Sequence, residues 1–169
     1  MAIVSELTAC DIPRLRAFIL EAWRLAGPSA LGWTGATDEN ISEIASENYL
    51  QGFIGNADLK VFISKIRENV VGFCALRKID DRSVELAGIV VRQDQLGRGV
   101  GTDLFEAAKK QAVRSGFATM LVKTESINDR ALSFYRSKGF VEGEHVVEEI
   151  RGIYVNLTVL KLDLPEAQK

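Results

Sequence analysis

The chain has 169 residues, 47% hydrophobic and 26% charged, a composition that suits one globular domain, 1–169, with its own core. Its net charge of −2 gives no broad basic field, which argues against nucleic acid as a partner. Two cysteines far apart in sequence, Cys10 and Cys74, and a single histidine, His145, make a metal site unexpected. The start of the chain has no basic segment ahead of an apolar core, and no apolar run matches a bilayer span, so a reduced, cytoplasmic protein without a membrane partner is expected. The stretch LTACDIPRLRAFILEAWRLAG predicts a helix over 11–26, opened by the capping-box spacing of Thr8 and Asp11 and closed by Gly27-Pro28. Leu15, Ile19, Trp23 and Ala26 share one face of it. A second helix is expected over about 38–54, with Ile41, Ile44, Ala45 and Phe53 apolar. LKVFISKI and VVGFCALRKI read as a hairpin around RENV, and SVELAGIVV as a third strand feeding a glycine-rich loop. The helix after that loop is expected to bury Leu104, Ala107, Ala108 and Val113 and to end at Gly116. A strand (FATMLVKT), a short helix closed by Gly139, and two strands joined at Arg151-Gly152 complete the order. Such an order predicts an α/β fold with a mixed, mostly antiparallel central sheet and helices on both faces.

The loop QLGRGVG carries Gly97, Gly99 and Gly101 at the opening of a helix, where glycine costs about 1 kcal/mol against alanine. A plain strand-to-helix turn is one explanation. The other is an anion site, because amides at a helix N-terminus favour phosphate. Thr102 adds a hydroxyl and Arg98 a charge. The spacing is G-x-G-x-G, which matches neither the dinucleotide fingerprint nor the Walker loop, so NAD and ATP are disfavoured.

Two blocks together resemble the GCN5-related N-acetyltransferase (GNAT) family. The first is the strand end GIVVRQ with Leu96-Gly97-Arg98-Gly99-Val100-Gly101; the second is Asn128, Ala131, Phe134-Tyr135 and Gly139-Phe140. The resemblance runs from about residue 59 to the end, so an acetyl-CoA-binding core is expected over about 59–163. Leu96 departs from it, standing where the family usually has Gln or Arg. The resemblance implies that acetyl-CoA donates its acetyl group to a small-molecule or peptide amine by direct attack. A monomer or homodimer is expected, since edge strands such as the last two are templates for pairing across a dimer. Its pyrophosphate would meet the amides of residues 97–102. The backbone of Ile89, Val90 and Val91 would pair with the pantetheine arm, Asn128 would contact it, and Tyr135 would protonate the leaving thiolate. The family's spacing also points to Glu85, eleven residues before Leu96, as a base; a solvent-facing strand residue is the alternative. Asn128 equally reads as a helix cap.

For the acceptor, the resemblance points to the stretches GPSALGWTGATDEN and VVEEIRG. They contain Trp33, Asp38, Glu39, Glu148 and Glu149, a set suited to a cationic amine such as a polyamine, a lysine or an aminoglycoside. The same acids also suit a helix first turn and a solvated hairpin turn. A CoA-binding module without turnover is the competing class, and Leu96 is the feature that leans towards it.

Overall fold

The computed structural model describes residues 1–30 and 34–168, with the side chains of Ser29 and Ala30 left aside. The elements in chain order are β1 (Ile3–Glu6), α1 (Ile12–Ala26), α2 (Asp38–Ile44), α3 (Glu47–Gln51), β2 (Leu59–Ile66), β3 (Asn69–Lys78), β4 (Ser83–Val91), α4 (Val100–Arg114), β5 (Thr119–Glu125), α5 (Asp129–Ser137), β6 (Val141–Ile150) and β7 (Ile153–Asp163). The strands form one seven-stranded sheet in the order β1-β2-β3-β4-β5-β7-β6. Every neighbouring pair is antiparallel except β4 with β5. The mixed, mostly antiparallel sheet expected from the element order is therefore present.

Period-2 burial on the strands divides the core into two layers. On one face α1, α2 and α3 set Leu15, Phe18, Ile19, Ile41 and Leu50 against Val61, Ile63, Val70 and Val90. On the other, α4 and α5 set Leu104, Phe105, Leu132 and Tyr135 against Phe62, Cys74, Leu86, Met120 and Val122. Each side chain of this size fully removed from water contributes about 1.5–3 kcal/mol before entropy is counted.

Helix faces follow the periodicity with small rotations. In α1, Leu15 and Ile19 are buried as expected, joined by Ile12 and Phe18, while Trp23 and Ala26 are half-buried at its C-terminal end. In α4 the buried positions are Val100, Leu104, Ala108 and Ala112, four residues apart, with Phe105 beside them; Ala107 and Val113 sit at the margin. The second expected helix is two. Ser46 lies between α2 and α3 in an extended conformation, and its hydroxyl accepts from the Tyr49 N–H, so it caps α3 rather than continuing α2. At the start of α1, Asp11 accepts from the N–H and hydroxyl of Thr8, and Lys65 of β2 donates to its other oxygen at 2.9 Å.

Two irregularities position the site. β3 and β4 slip register between Cys74 and Leu76, which sets two residues of β4, Ala87 and Gly88, opposite the single Ala75 of β3. The β4–β5 ladder runs only from Ser83↔Thr119 to Leu86↔Val122. Beyond it the two strands part, and among the described residues the inner edge of β4 from Ala87 to Val91 has no strand beside it.

Candidate active site

The fork between β4 and β5 opens into a cavity of about 600 Å³. Ile89, Val90 and Val91 line it from β4, as the unpaired edge requires. Leu96, Gly97, Gly99, Gly101 and Thr102 line it from the loop and the first turn of α4. Asn128 and Tyr135 complete the expected set from α5 and its cap. Two of the expected residues stand apart from the wall: the Arg98 side chain is exposed outside the cavity, and the Val100 side chain is buried in the core.

Gly97 and Gly99 have φ of +73° and +86°, and a Cβ at either would meet nothing within 4 Å. Backbone conformation, not crowding, is what selects glycine here. Gly99 caps α4, and the first intrahelical bond runs from the Asp103 N–H to the Gly99 carbonyl at 2.9 Å. The amides of Val100, Gly101 and Thr102 precede that bond, so they form the donor end of a 15-residue helix. Lys138 at the end of α5 donates to the Thr102 hydroxyl at 2.7 Å and lies over the Phe134 ring. A cation is thereby held at the same helix end, a role not visible in the α5 block. Arg92 and Arg130 also line the cavity, and Ala22, Leu25 and Ala26 of α1 form its far wall. The α1 residues carry only the signal of apolar positions at a helix end, Ala22 and Ala26 half-buried and Leu25 exposed.

Tyr135 is buried between Phe134 and Phe140, with ring centroids at 5.4 and 5.5 Å in edge-to-face geometry. Burial, and then the neighbouring Cys74, push its hydroxyl well above the ordinary tyrosine range, against the opposing effect of the Ile89 N–H. The phenol therefore keeps its proton at neutral pH. Cys74 is fully buried, its thiol 3.6 Å from the Leu104 carbonyl, and burial pushes it up to about 12, so it remains a thiol. Asn128 caps α5 by accepting from the Ala131 N–H at 3.1 Å while also lining the cavity. The cap uses its oxygen and leaves its NH₂ for a ligand.

Register places Glu85, opposite Arg77 and Leu121, on the α1–α3 face of the sheet. It is buried, and Arg77 donates to it through both Nε and a terminal nitrogen. Of the expected acceptor residues, Glu149 alone among the described ones lies on the sheet face opposite α1–α3. Asp38 accepts from the Trp23 indole N–H at 2.6 Å in the first turn of α2, and Glu39 beside it is exposed. Glu148 pairs with Lys123 on the α1–α3 face, whereas Glu149 lies on the opposite face and is exposed. Trp33 lies outside the described residues. Arg151 in the β6–β7 turn pairs with Glu43 of α2, tying the hairpin to the helical layer. Glu125, at the end of β5, is a buried carboxylate that was not anticipated. The signal for it was a charged residue on β5 two and four positions from Lys123 and Leu121, hence on the same face as Glu85. Among the described residues no group of three or more His, Cys, Asp or Glu is placed to hold a metal, and no helix is long and apolar enough to cross a membrane.

Comparison with known proteins gives a consistent likeness. The family model described as Acetyltransferase (GNAT) family matches residues 20–140. A mycothiol acetyltransferase from Jonesia denitrificans is 35% identical over 79 residues, which are 46% of this chain and 25% of that relative, so the match spans a quarter of its length. The paia N-acetyltransferase of Thermoplasma acidophilum, solved in complex with coenzyme A, superposes with a TM-score of 0.71 at 20% identity, covering 94% of this chain and 98% of that one. The protein yncA of Salmonella typhimurium, solved with its cofactor acetyl-CoA, superposes with a TM-score of 0.70 at 21% identity, covering 100% and 97%. These superpositions establish the shared fold.

Proposed function

The chain belongs to the acetyltransferase (GNAT) family, and from that premise we propose that it transfers the acetyl group of acetyl-CoA to a primary amine in a ternary complex. The observation that carries this reading is the fork itself. A free strand edge, a helix N-terminus opened by left-handed glycines, and a buried phenol converge on one cavity of about 600 Å³. That combination fits the donor's three parts. The amides at the start of α4, with Lys138 on Thr102 and Arg130 elsewhere on the cavity wall, suit the pyrophosphate; the β4 edge at Ile89–Val91 and the Asn128 NH₂ suit an amide-bearing arm; Tyr135 suits the thiol end of that arm.

Acetyl-CoA supplies an activated thioester. The residues have to orient it, hold the amine, and manage protons. Tyr135 stays protonated and so has a proton to donate to sulfur as the thiolate forms. Glu85 is the base expected from the spacing. Arg77 already occupies its carboxylate through two donors, and we assign it to the charge balance of the acceptor face. Cys74, fully buried and kept as a thiol, is poorly placed to carry the acetyl group, which supports direct transfer.

Thiol release from acetyl-CoA, followed over polyamines, aminoglycosides, amino acids and peptides with free N-termini, tests the reading. Turnover with at least one amine class is expected. A second reading, a CoA-binding module without turnover, rests on Leu96, which puts an apolar side chain on the cavity wall near the helix end. Tight acetyl-CoA binding in calorimetry with no turnover on any amine would favour it. Larger thermal shifts with ATP or NAD than with acetyl-CoA would contradict both readings.

A further inference from the structure

We infer that Glu125 is the catalytic residue that receives the acceptor's ammonium group and takes its first proton, an assignment that rests on the acetyl-transfer reading above. Glu125 closes β5 and is 5% exposed. The N–H and the hydroxyl of Thr34, in the α1–α2 connection, both donate to Oε1 at 3.0 Å. Oε2 is buried and has no hydrogen-bond partner among the described residues. A buried carboxylate oxygen without a donor is costly, and native proteins almost always satisfy it. An ammonium group supplies the missing donor in a charge-assisted bond.

The position of Glu125 fits this use. Leu86 and Val122 are the last rung of the β4–β5 ladder. Ile89 stands three residues beyond that rung on β4, and Glu125 three residues beyond it on β5. Ile89 carries the backbone N–H next to the Tyr135 hydroxyl. Tyr135 comes from the α4–α5 layer, whereas Glu125 shares the opposite face with Lys123 and Leu121. A proton donor thus lines the fork cavity on one sheet face, and three residues past the last rung a carboxylate with an unpartnered buried oxygen lies on the other face, behind the residues that line the cavity. Neighbouring acids are already engaged: Glu85 by Arg77, Glu148 by Lys123, Glu43 by Arg151 and Asp38 by the Trp23 indole. The acceptor class that follows is an aliphatic amine, cationic at neutral pH.

The proton balance closes. Oε2 takes one proton from the ammonium, and the freed nitrogen pair forms the C–N bond at the acetyl carbonyl. The C–S bond breaks with its electron pair on sulfur, which takes the Tyr135 proton. The second nitrogen proton restores Tyr135, and Glu125 returns its own to solvent.

Glu125→Gln keeps an oxygen for Thr34 and alters only the free position. We expect a melting temperature equal to or above that of the wild type, acetyl-CoA affinity within about threefold, and kcat/KM for the amine lower by about 100-fold, the scale of a lost general base. The fall of kcat/KM on the acid side of the wild-type profile should be lost or displaced. Wild-type kcat/KM in Glu125→Gln overturns the assignment. So does a parallel loss of melting temperature and acetyl-CoA affinity, which would mark a structural strut. Binding supplies an arm independent of turnover, using spermidine, kanamycin and alanyl-alanine titrated into CoA-saturated protein. At least one should bind the wild type about tenfold or more tightly than Glu125→Gln; equal binding to both, or binding of none to the wild type, overturns the assignment. If the wild type acetylates no amine, the transfer reading fails by itself, and the binding arm still decides Glu125.

Discussion

Tyr135 combines a raised hydroxyl with a position at the head of the fork, so it can donate a proton late, when sulfur carries charge, and not before. Tyr135→Phe keeps the edge-to-face packing with Phe134 and Phe140 and removes only the donor. Its kcat should fall by about 100-fold while acetyl-CoA affinity moves less than about threefold, the pattern of an interaction made in the transition state. Steady-state kinetics beside calorimetry separates the two. Asp11 offers a prediction for stability. Burial raises its carboxyl, but hydrogen bonds from Lys65 and Thr8 outweigh burial and hold it below the ordinary aspartate range. A group depressed in the folded state stabilises above its unfolded pKa, near 4, and loses that contribution as pH falls through the folded value. Asp11→Asn should therefore lower stability at pH 7 by about 1–3 kcal/mol, as for hydrogen bonds to a charged group. The gap to wild type should narrow below pH 4. Denaturant unfolding at the two pH values measures it; an unchanged gap would contradict this role.

At the scale of elements, α4 depends on two kinds of glycine. Gly72 on β3 lets the helix approach the sheet: a Cβ there would lie 2.9 Å from the Val90 carbonyl oxygen and 3.1–3.2 Å from Leu104 and Val100 side chains. Since the nearest atom is backbone, Gly72→Ala should destabilise by about 1–3 kcal/mol, an overpacking cost measurable by urea unfolding. Gly99 has open space but left-handed φ. Gly99→Ala should cost about 1–2 kcal/mol of strain in the cap and weaken acetyl-CoA binding by about tenfold or more as the amides turn away. Calorimetry that found full affinity in Gly99→Ala would mean those amides do not hold the donor. The break between α2 and α3 shows the limit of periodicity. Ile41, Ala45 and Phe53 fit one helix by spacing, but Ser46 offers its hydroxyl to the next segment and ends the run.

The whole molecule shows which features a sequence carries locally. The glycine loop, the Asn128 cap and the strands around them were legible because their signals lie within a few residues of one another. The fork was not: it requires the parallel crossover from β4 through α4 to β5 and the premature end of their ladder. Charge pairing at the acceptor side was hidden for a similar reason. Among the expected acids, Glu148 meets Lys123, 25 positions away, and beside them Glu43 meets Arg151, 108 positions away, partners that only the fold brings near. Glu125 was overlooked because it reads as the polar end of a strand until Thr34 covers it. Around the cavity, Arg130 and Lys138 add positive charge on a chain of net charge −2, while Arg92 is paired with Asp94, a local field suited to an anionic donor. What unites these scales is the proposed direct transfer at the fork, and donor labelled in its acetyl group tests that claim most directly. With the amine panel present, label should pass to the amine product, and none should remain covalently on the protein with or without amine. Label held by the protein, or retained by the donor against every amine, would contradict the account.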